Sequence, residues 1–128
     1  AEMTEDSMRS SLEQHLAGHY LDNIKKRSEL WSEVGQVLLN HFDGSALKLI
    51  AQAGGSAPKL VELVFSNLPG FRDEVIEGAN RIVFLKRAQI FVGDINAALK
   101  LNLEGLDQLT TFADYRVPQI LRHFDILE

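Results

Sequence analysis

Three groups of residues have types and spacing that invite a functional reading. His15 and His19 stand four apart, which places both on one helix face, a spacing able to hold a metal ion. No Glu follows His15 in the zincin manner and no third ligand is marked, so two ordinary histidines explain the pair better. Gly54-Gly55-Ser56 suggests a loop that cradles phosphate, but it lacks the lysine and preceding strand of a P-loop. A helix stop followed by a cap accounts for it, while an anion at the following helix N-terminus remains physically allowed. The third group is less ordinary. Phe71-Arg72-Asp73-Glu74, Lys86-Arg87 and Asp114-Tyr115-Arg116 are dense in charge yet set among apolar residues: Lys86 follows Ile82-Val83-Phe84-Leu85, and Asp114 follows Phe112-Ala113. Charges that interrupt apolar runs are drawn into partly buried places, where they must pair. Lys86 and Asp114 would lie about 42 Å apart on one helix, so any meeting between them is tertiary. A structural ion-pair network, with Arg72 or Arg87 facing Asp94 or Asp114, is an equally physical use of these residues.

The elements that must position them are helical. Thr4 with Glu5 and Asp6 reads as a cap and acidic first turn. Apolar positions then recur at helical spacing through Met8, Leu12, Leu16, Tyr20, Leu21 and Ile24. Ser28 can cap a second helix with Leu30, Trp31, Val34, Val37, Leu38 and Phe42 as its buried stripe. Asp43-Gly44-Ser45 ends it, Ala46 to Ala53 forms a short helix, and Ser56 caps the next, with Pro58 in its first turn. Leu60, Val61, Val64, Phe65 and Leu68 are that helix's core face. Pro69-Gly70 breaks the chain. Phe71 to Gly78 reads as a loop or short helical turn, and Asn80 to Val83 as an extended piece. A strong helix returns from about Phe84 to Leu101, a short one covers Leu103 to Phe112, and Pro118 sits in the first turn of the last. The expectation is all-α: one compact domain over residues 1–128, built of six or seven helices.

Composition bounds the function. The 128 residues are 45% hydrophobic and 24% charged, values of an ordinary globular domain. The net charge of -5 and the few basic clusters argue against a nucleic-acid backbone as the direct partner. No apolar run approaches the roughly 20 residues a bilayer requires, so no membrane partner is expected. The acidic start has none of the marks of a signal peptide. Cysteine is absent, which removes disulfides and thiolate metal sites and fits a reducing cytoplasm.

Three segments occur in order: Phe71-Arg72-Asp73-Glu74, Phe84-Leu85-Lys86-Arg87-Ala88-Gln89-Ile90, and Phe112-Ala113-Asp114-Tyr115-Arg116-Val117-Pro118-Gln119. Together they resemble signature segments of the queuosine salvage family, the queuosine 5′-phosphate N-glycosylase/hydrolases. Gly44-Ser45 and Ser56-Ala57 through Leu60-Val61 match as well. The likeness runs from about Trp31 to Leu127 and corresponds to a middle portion, or a short member, of the family.

The resemblance implies a fold similar to helical DNA-repair glycosylases, which use a Lys or Asp near the anomeric carbon. It implies hydrolysis of queuosine 5′-monophosphate to queuine and ribose 5-phosphate, with queuine returned to transfer RNA, and no metal or other cofactor. On this resemblance Asp114 is the catalytic carboxylate, and Lys86 is its partner, orienting Asp114 or the ribose. Asp73 is placed at the base or its side chain, with Phe71, Arg87, Tyr115 and Arg116 as further substrate-binding candidates. The alternative is a non-catalytic helical binding module of the same ancestry. Apolar helix faces left exposed in a portion of this length would favour self-association or a complementing chain.

Overall fold

The computed structural model describes residues 3–13 and 22–128. Six α-helices are found among them: α1 (Glu5–Glu13), α2 (Ile24–His41), α3 (Ala46–Gln52), α4 (Ala57–Asn67), α5 (Lys86–Leu99) and α6 (Arg116–His123). Two 3₁₀ turns, Pro69–Phe71 and Leu106–Gln108, and two short strands, β1 (Glu74–Glu77) and β2 (Asn80–Val83), complete the order. The protein is therefore mostly helical but not all-α. The strands form one antiparallel hairpin, with Glu74 opposite Val83 and Glu77 opposite Asn80. Asn80 to Val83 is extended, as the sequence suggests. Its partner falls inside the stretch that reads as loop, because β1 and β2 are almost wholly exposed and carry no alternating buried face.

The chain divides into two compact units, residues 1–48 and 49–128. In the first, Thr4 Oγ1 accepts the Ser7 N–H at 3.1 Å and caps α1. The Met3 N–H donates to Ser32 Oγ at 3.0 Å, tying the start of α1 to α2. α2 begins at Ile24, ahead of the expected Ser28 cap. Ser28 instead lies buried inside the helix, its hydroxyl donating to the Lys25 carbonyl, and Trp31 is 63% exposed rather than part of a buried stripe. His15, His19 and the apolar positions Leu16, Tyr20 and Leu21 lie outside the described residues.

The second unit carries the charged segments. Ser56 caps α4 through the Lys59 N–H, and Pro58 falls in the first turn, where its missing donor costs nothing. Leu60, Val61 and Val64 of α4 and Ala88 and Val92 of α5 are buried, and the two helices pack against one another. Leu49, Ala53, Leu68 and Leu103 are buried too. After α5 the chain returns to the start of α4: the Ala57 N–H donates to the Glu104 carbonyl and the Glu104 N–H to the Gly55 carbonyl, each at 2.8 Å. The expected helix over Leu103 to Phe112 is absent. Gly105 is left-handed and Leu109 is extended, so only the single 3₁₀ turn forms between them. Residues 109–114 then run as an irregular strap to α6.

Among the described residues no helix is long and apolar enough to cross a membrane.

Candidate functional site

The hairpin, the start of α5 and the strap meet at one cleft. Asp73 sits just before β1. Its backbone carbonyl accepts the Phe84 N–H at 3.0 Å, closing the hairpin at its open end. Its side-chain Oδ2 accepts the Arg87 N–H at 3.1 Å. Asp73 therefore acts as a distant N-cap for α5, placing a carboxylate against the positive end of a 14-residue helix. Leu85, between β2 and α5, is held at φ 57°, a left-handed conformation that costs a non-glycine residue about 1 kcal/mol. The two bonds to Asp73 flank this turn and hold the chain in it. The turn also explains why the helix starts at Lys86 rather than at the expected Phe84.

Lys86 is thus the first residue of α5, and Asp114 the end of the strap. Lys86 Nζ stands 3.5 Å from Asp114 Oδ2, with about 30% of each side chain exposed. Asp114 Oδ1 accepts the Arg116 N–H at 2.8 Å. That bond, followed by the attraction of Lys86, outweighs desolvation and holds the Asp114 carboxyl below its ordinary pKa. The pair lies in a cleft of about 480 Å³ lined by Asp73, Phe84, Lys86, Arg87, Ala113, Asp114, Tyr115, Val117 and Pro118. Asp73 Oδ1 is buried and meets no hydrogen-bond partner within the protein. A buried acceptor in that state is costly unless a water or a ligand supplies a donor.

Five of the seven residues singled out in the sequence line this cleft: Asp73, Lys86, Arg87, Asp114 and Tyr115. The Arg87 guanidinium donates to the Gly70 carbonyl at 2.9 Å, so much of its side chain braces the turn below the hairpin. Phe71 and Arg116 are not part of the lining. Phe71 packs edge-to-face on Phe91, ring centres 5.4 Å apart, and the Arg116 guanidinium lies 5.2 Å from the Tyr115 ring centre. Arg72 turns away, donating to the carbonyls of Phe65 and Ser66. Phe84, Ala113, Val117 and Pro118 are lining residues that the charge pattern did not single out; their only signal was their place beside Lys86 and Asp114. Among the described residues no group of three His, Asp or Glu is placed to hold a metal ion.

The family model described as queuosine salvage protein matches residues 1–128. A queuosine 5′-phosphate N-glycosylase/hydrolase of Dictyostelium discoideum is 44% identical over 115 residues, covering 87% of this chain and 36% of the relative. The protein of the same description from Mus musculus is 39% identical, over 82% of this chain and 32% of its own length. That of Sphaerobacter thermophilus is 40% identical, over 81% and 33%. The chain thus spans about a third of the length of these curated relatives.

Proposed function

We propose, since the chain belongs to the queuosine salvage protein family, that it carries the reacting centre of an N-glycosidase that hydrolyses queuosine 5′-monophosphate. The observation that carries this reading is the Lys86–Asp114 pair, 3.5 Å apart at the wall of a cleft. The relatives' descriptions as queuosine 5′-phosphate N-glycosylase/hydrolases support the choice of substrate.

Hydrolysis breaks the bond from C1′ to the base nitrogen and forms a bond from C1′ to a water oxygen. One proton of the water leaves, and the departing base gains one. Positive charge develops on the sugar and negative charge on the base. A carboxylate whose pKa is held low is a weak base and a persistent anion. Asp114 therefore acts chiefly by stabilising the cationic sugar and aligning the water, and only secondarily as a proton acceptor. Lys86 fixes the carboxylate and supplies positive charge beside the ribose. Asp73 takes a donor from the base or its side chain with the oxygen that has no partner in the protein. Tyr115 and Arg87 shape the cleft, and Phe71 and Arg116 support it from behind.

The reading extends to fold and setting. A helical core that presents a Lys and an Asp to a cleft supports a likeness to helical DNA-repair glycosylases, which use a Lys or an Asp near the anomeric carbon, with the hairpin as an addition. The lack of cysteine suits a cytoplasmic site of action. On α6 and after it, Ile120, Phe124, Ile126 and Leu127 are exposed, an apolar surface suited to a second copy or a complementing chain.

The test is release of free base from queuosine 5′-monophosphate by the purified chain, followed by chromatography. Release that disappears in Asp114→Asn is the expected result. Release that persists at the parental rate in that variant removes Asp114 from the reaction.

A further inference from the structure

Asp114 belongs to no helix or strand. It ends a strap, residues 109–114, with no regular structure of its own, yet its distance from Lys86 is what the proposed chemistry needs. Beyond the Lys86–Asp114 pair itself, the strap meets α5 at two points. Gln89, 2% exposed, takes the Thr110 N–H on its Oε1 at 2.7 Å, and its Nε2 donates to Thr110 Oγ1 at 3.1 Å. The tip of the Phe112 ring lies 3.8 Å from where a Cβ on Gly93 would stand, an ordinary van der Waals distance, so the ring rests against α5 at Gly93. Lys86, Gln89 and Gly93 follow at steps of three and four and share one helix face.

A buried glutamine among apolar neighbours is costly unless its amide is satisfied. Here both of its polar atoms are used, and both go to a single residue four positions before Asp114. We infer that Gln89 is a positioning residue, whose amide clamps Thr110 and thereby holds Asp114 in register with Lys86; its catalytic consequence rests on reading that pair as the reacting groups. Lys86 and Gln89 are one turn apart on a rigid helix, and Thr110 and Asp114 are joined by a short strap. Clamping Gln89 to Thr110 therefore holds Lys86 and Asp114 in register. Local structure cannot do this alone, because the Arg116 N–H bond orients the Asp114 carboxylate only relative to its own segment.

The test follows the Asp114 carboxyl carbon by NMR titration in the parent chain, Lys86→Met, Gln89→Met and Thr110→Ser. The charged groups that share the cleft with Asp114 are Lys86 and Arg87 on α5 and Asp73 before β1, while Arg116 on its own segment contributes its backbone N–H. Lys86→Met marks the midpoint reached when the pair is lost. Gln89→Met is expected to raise the midpoint by roughly half a pH unit toward that mark, with the helical circular-dichroism signal retained. Thr110→Ser keeps the hydroxyl and is expected to stay at the parental midpoint. A folded Gln89→Met with the parental midpoint overturns the inference. Should Gln89→Met fail to fold, Gln89→Asn, which draws the amide back by one methylene from both the Thr110 N–H and the Thr110 hydroxyl, decides by the same criterion. In turnover the expected signature is a fall in kcat of roughly tenfold at constant KM. A chain that releases no base counts against the glycosidase reading alone, since the titration needs no turnover.

Discussion

Lys86 and Asp114, 28 positions apart in the chain, meet at 3.5 Å because two unrelated devices converge on them. One is the left-handed turn at Leu85, braced by Asp73, which starts α5 at Lys86. The other is the strap that leaves the Gly105 turn and ends at Asp114. A cation and an anion at this distance attract one another, but with about a third of each side chain exposed the pair is partly screened by solvent. Its significance lies in its position at the cleft wall rather than in the strength of the attraction.

Replacing Asp114 by Asn keeps the shape and the acceptor for the Arg116 N–H while removing the charge. Turnover of queuosine 5′-monophosphate should fall by about 10²- to 10⁴-fold. Binding should survive, and ligand-induced protection against heat measures that. A parallel loss of binding and folding would instead mean a structural carboxylate.

The pH dependence of stability has a definite sign. The Asp114 carboxyl is held below its ordinary pKa by the Arg116 N–H and by Lys86. A group depressed in the folded state contributes stability above its unfolded pKa, and that contribution disappears as pH falls through the folded value. The parent and Asp114→Asn should therefore differ in melting temperature near neutrality and converge in acid, below the ordinary carboxylate range. Thermal melts across that range check this; a difference that grows in acid contradicts it.

Asp73→Asn tests the buried oxygen without a partner. The amide oxygen can still accept the Arg87 N–H, while an NH₂ group replaces the orphaned acceptor. This trades an unpartnered buried charge for an unpartnered neutral amide and gives up the capping charge at the start of α5, so the stability of the free protein should change by no more than about 1 kcal/mol. Affinity for the nucleotide should fall by roughly 10- to 100-fold, as befits a hydrogen bond to a charged group. Calorimetry on the free protein and ligand titration read the two effects separately, and a variant that loses stability without losing affinity assigns Asp73 to capping alone.

How much of this was legible in the sequence depends on whether a local signal existed. The Ser56 cap, Pro58 and the buried Leu60, Val61, Val64 and Leu68 follow from spacing and cap chemistry and are found as expected, while Phe65 of the same face is only half-buried under Arg81. The order of the three charged segments points to Asp73, Lys86 and Asp114, all of which line the cleft. The β1 strand was not legible, because Glu74-Val75-Ile76-Glu77 has no alternating pattern and buries no face. Its pairing depends on the Gly78-Ala79 turn and on the Asp73 carbonyl, which is tertiary information. Leu103 to Phe112 reads as helix in the sequence because Leu103, Leu106 and Leu109 fall at helical spacing. Gly105 in the left-handed region and the capture of the Thr110 N–H by Gln89 override that pattern. Phe71 and Arg116 carry the same local signals as their neighbours, and only the packing of one on Phe91 and of the other against Tyr115 separates them from the lining.

Gly105 is where the strap's path is set, and its position leaves little room for a side chain. Its φ is +75°, and a Cβ there would stand 3.0 Å from Pro58 Cδ and 3.1 Å from Gln108 Nε2. The glutamine can swing aside, but the proline ring, fixed in the first turn of α4, cannot. Gly105→Ala therefore combines a disfavoured backbone region with a rigid clash and should cost about 1–3 kcal/mol. In urea the midpoint should fall with an unchanged slope, the mark of lost stability without a change in the surface exposed on unfolding. Because the strap begins at this turn, turnover in the folded fraction should fall as well, through Asp114 rather than through any contact of Gly105 with the nucleotide. Full activity in a destabilised Gly105→Ala would mean that the Gln89 clamp sets the position of Asp114 whatever the path of the turn before it.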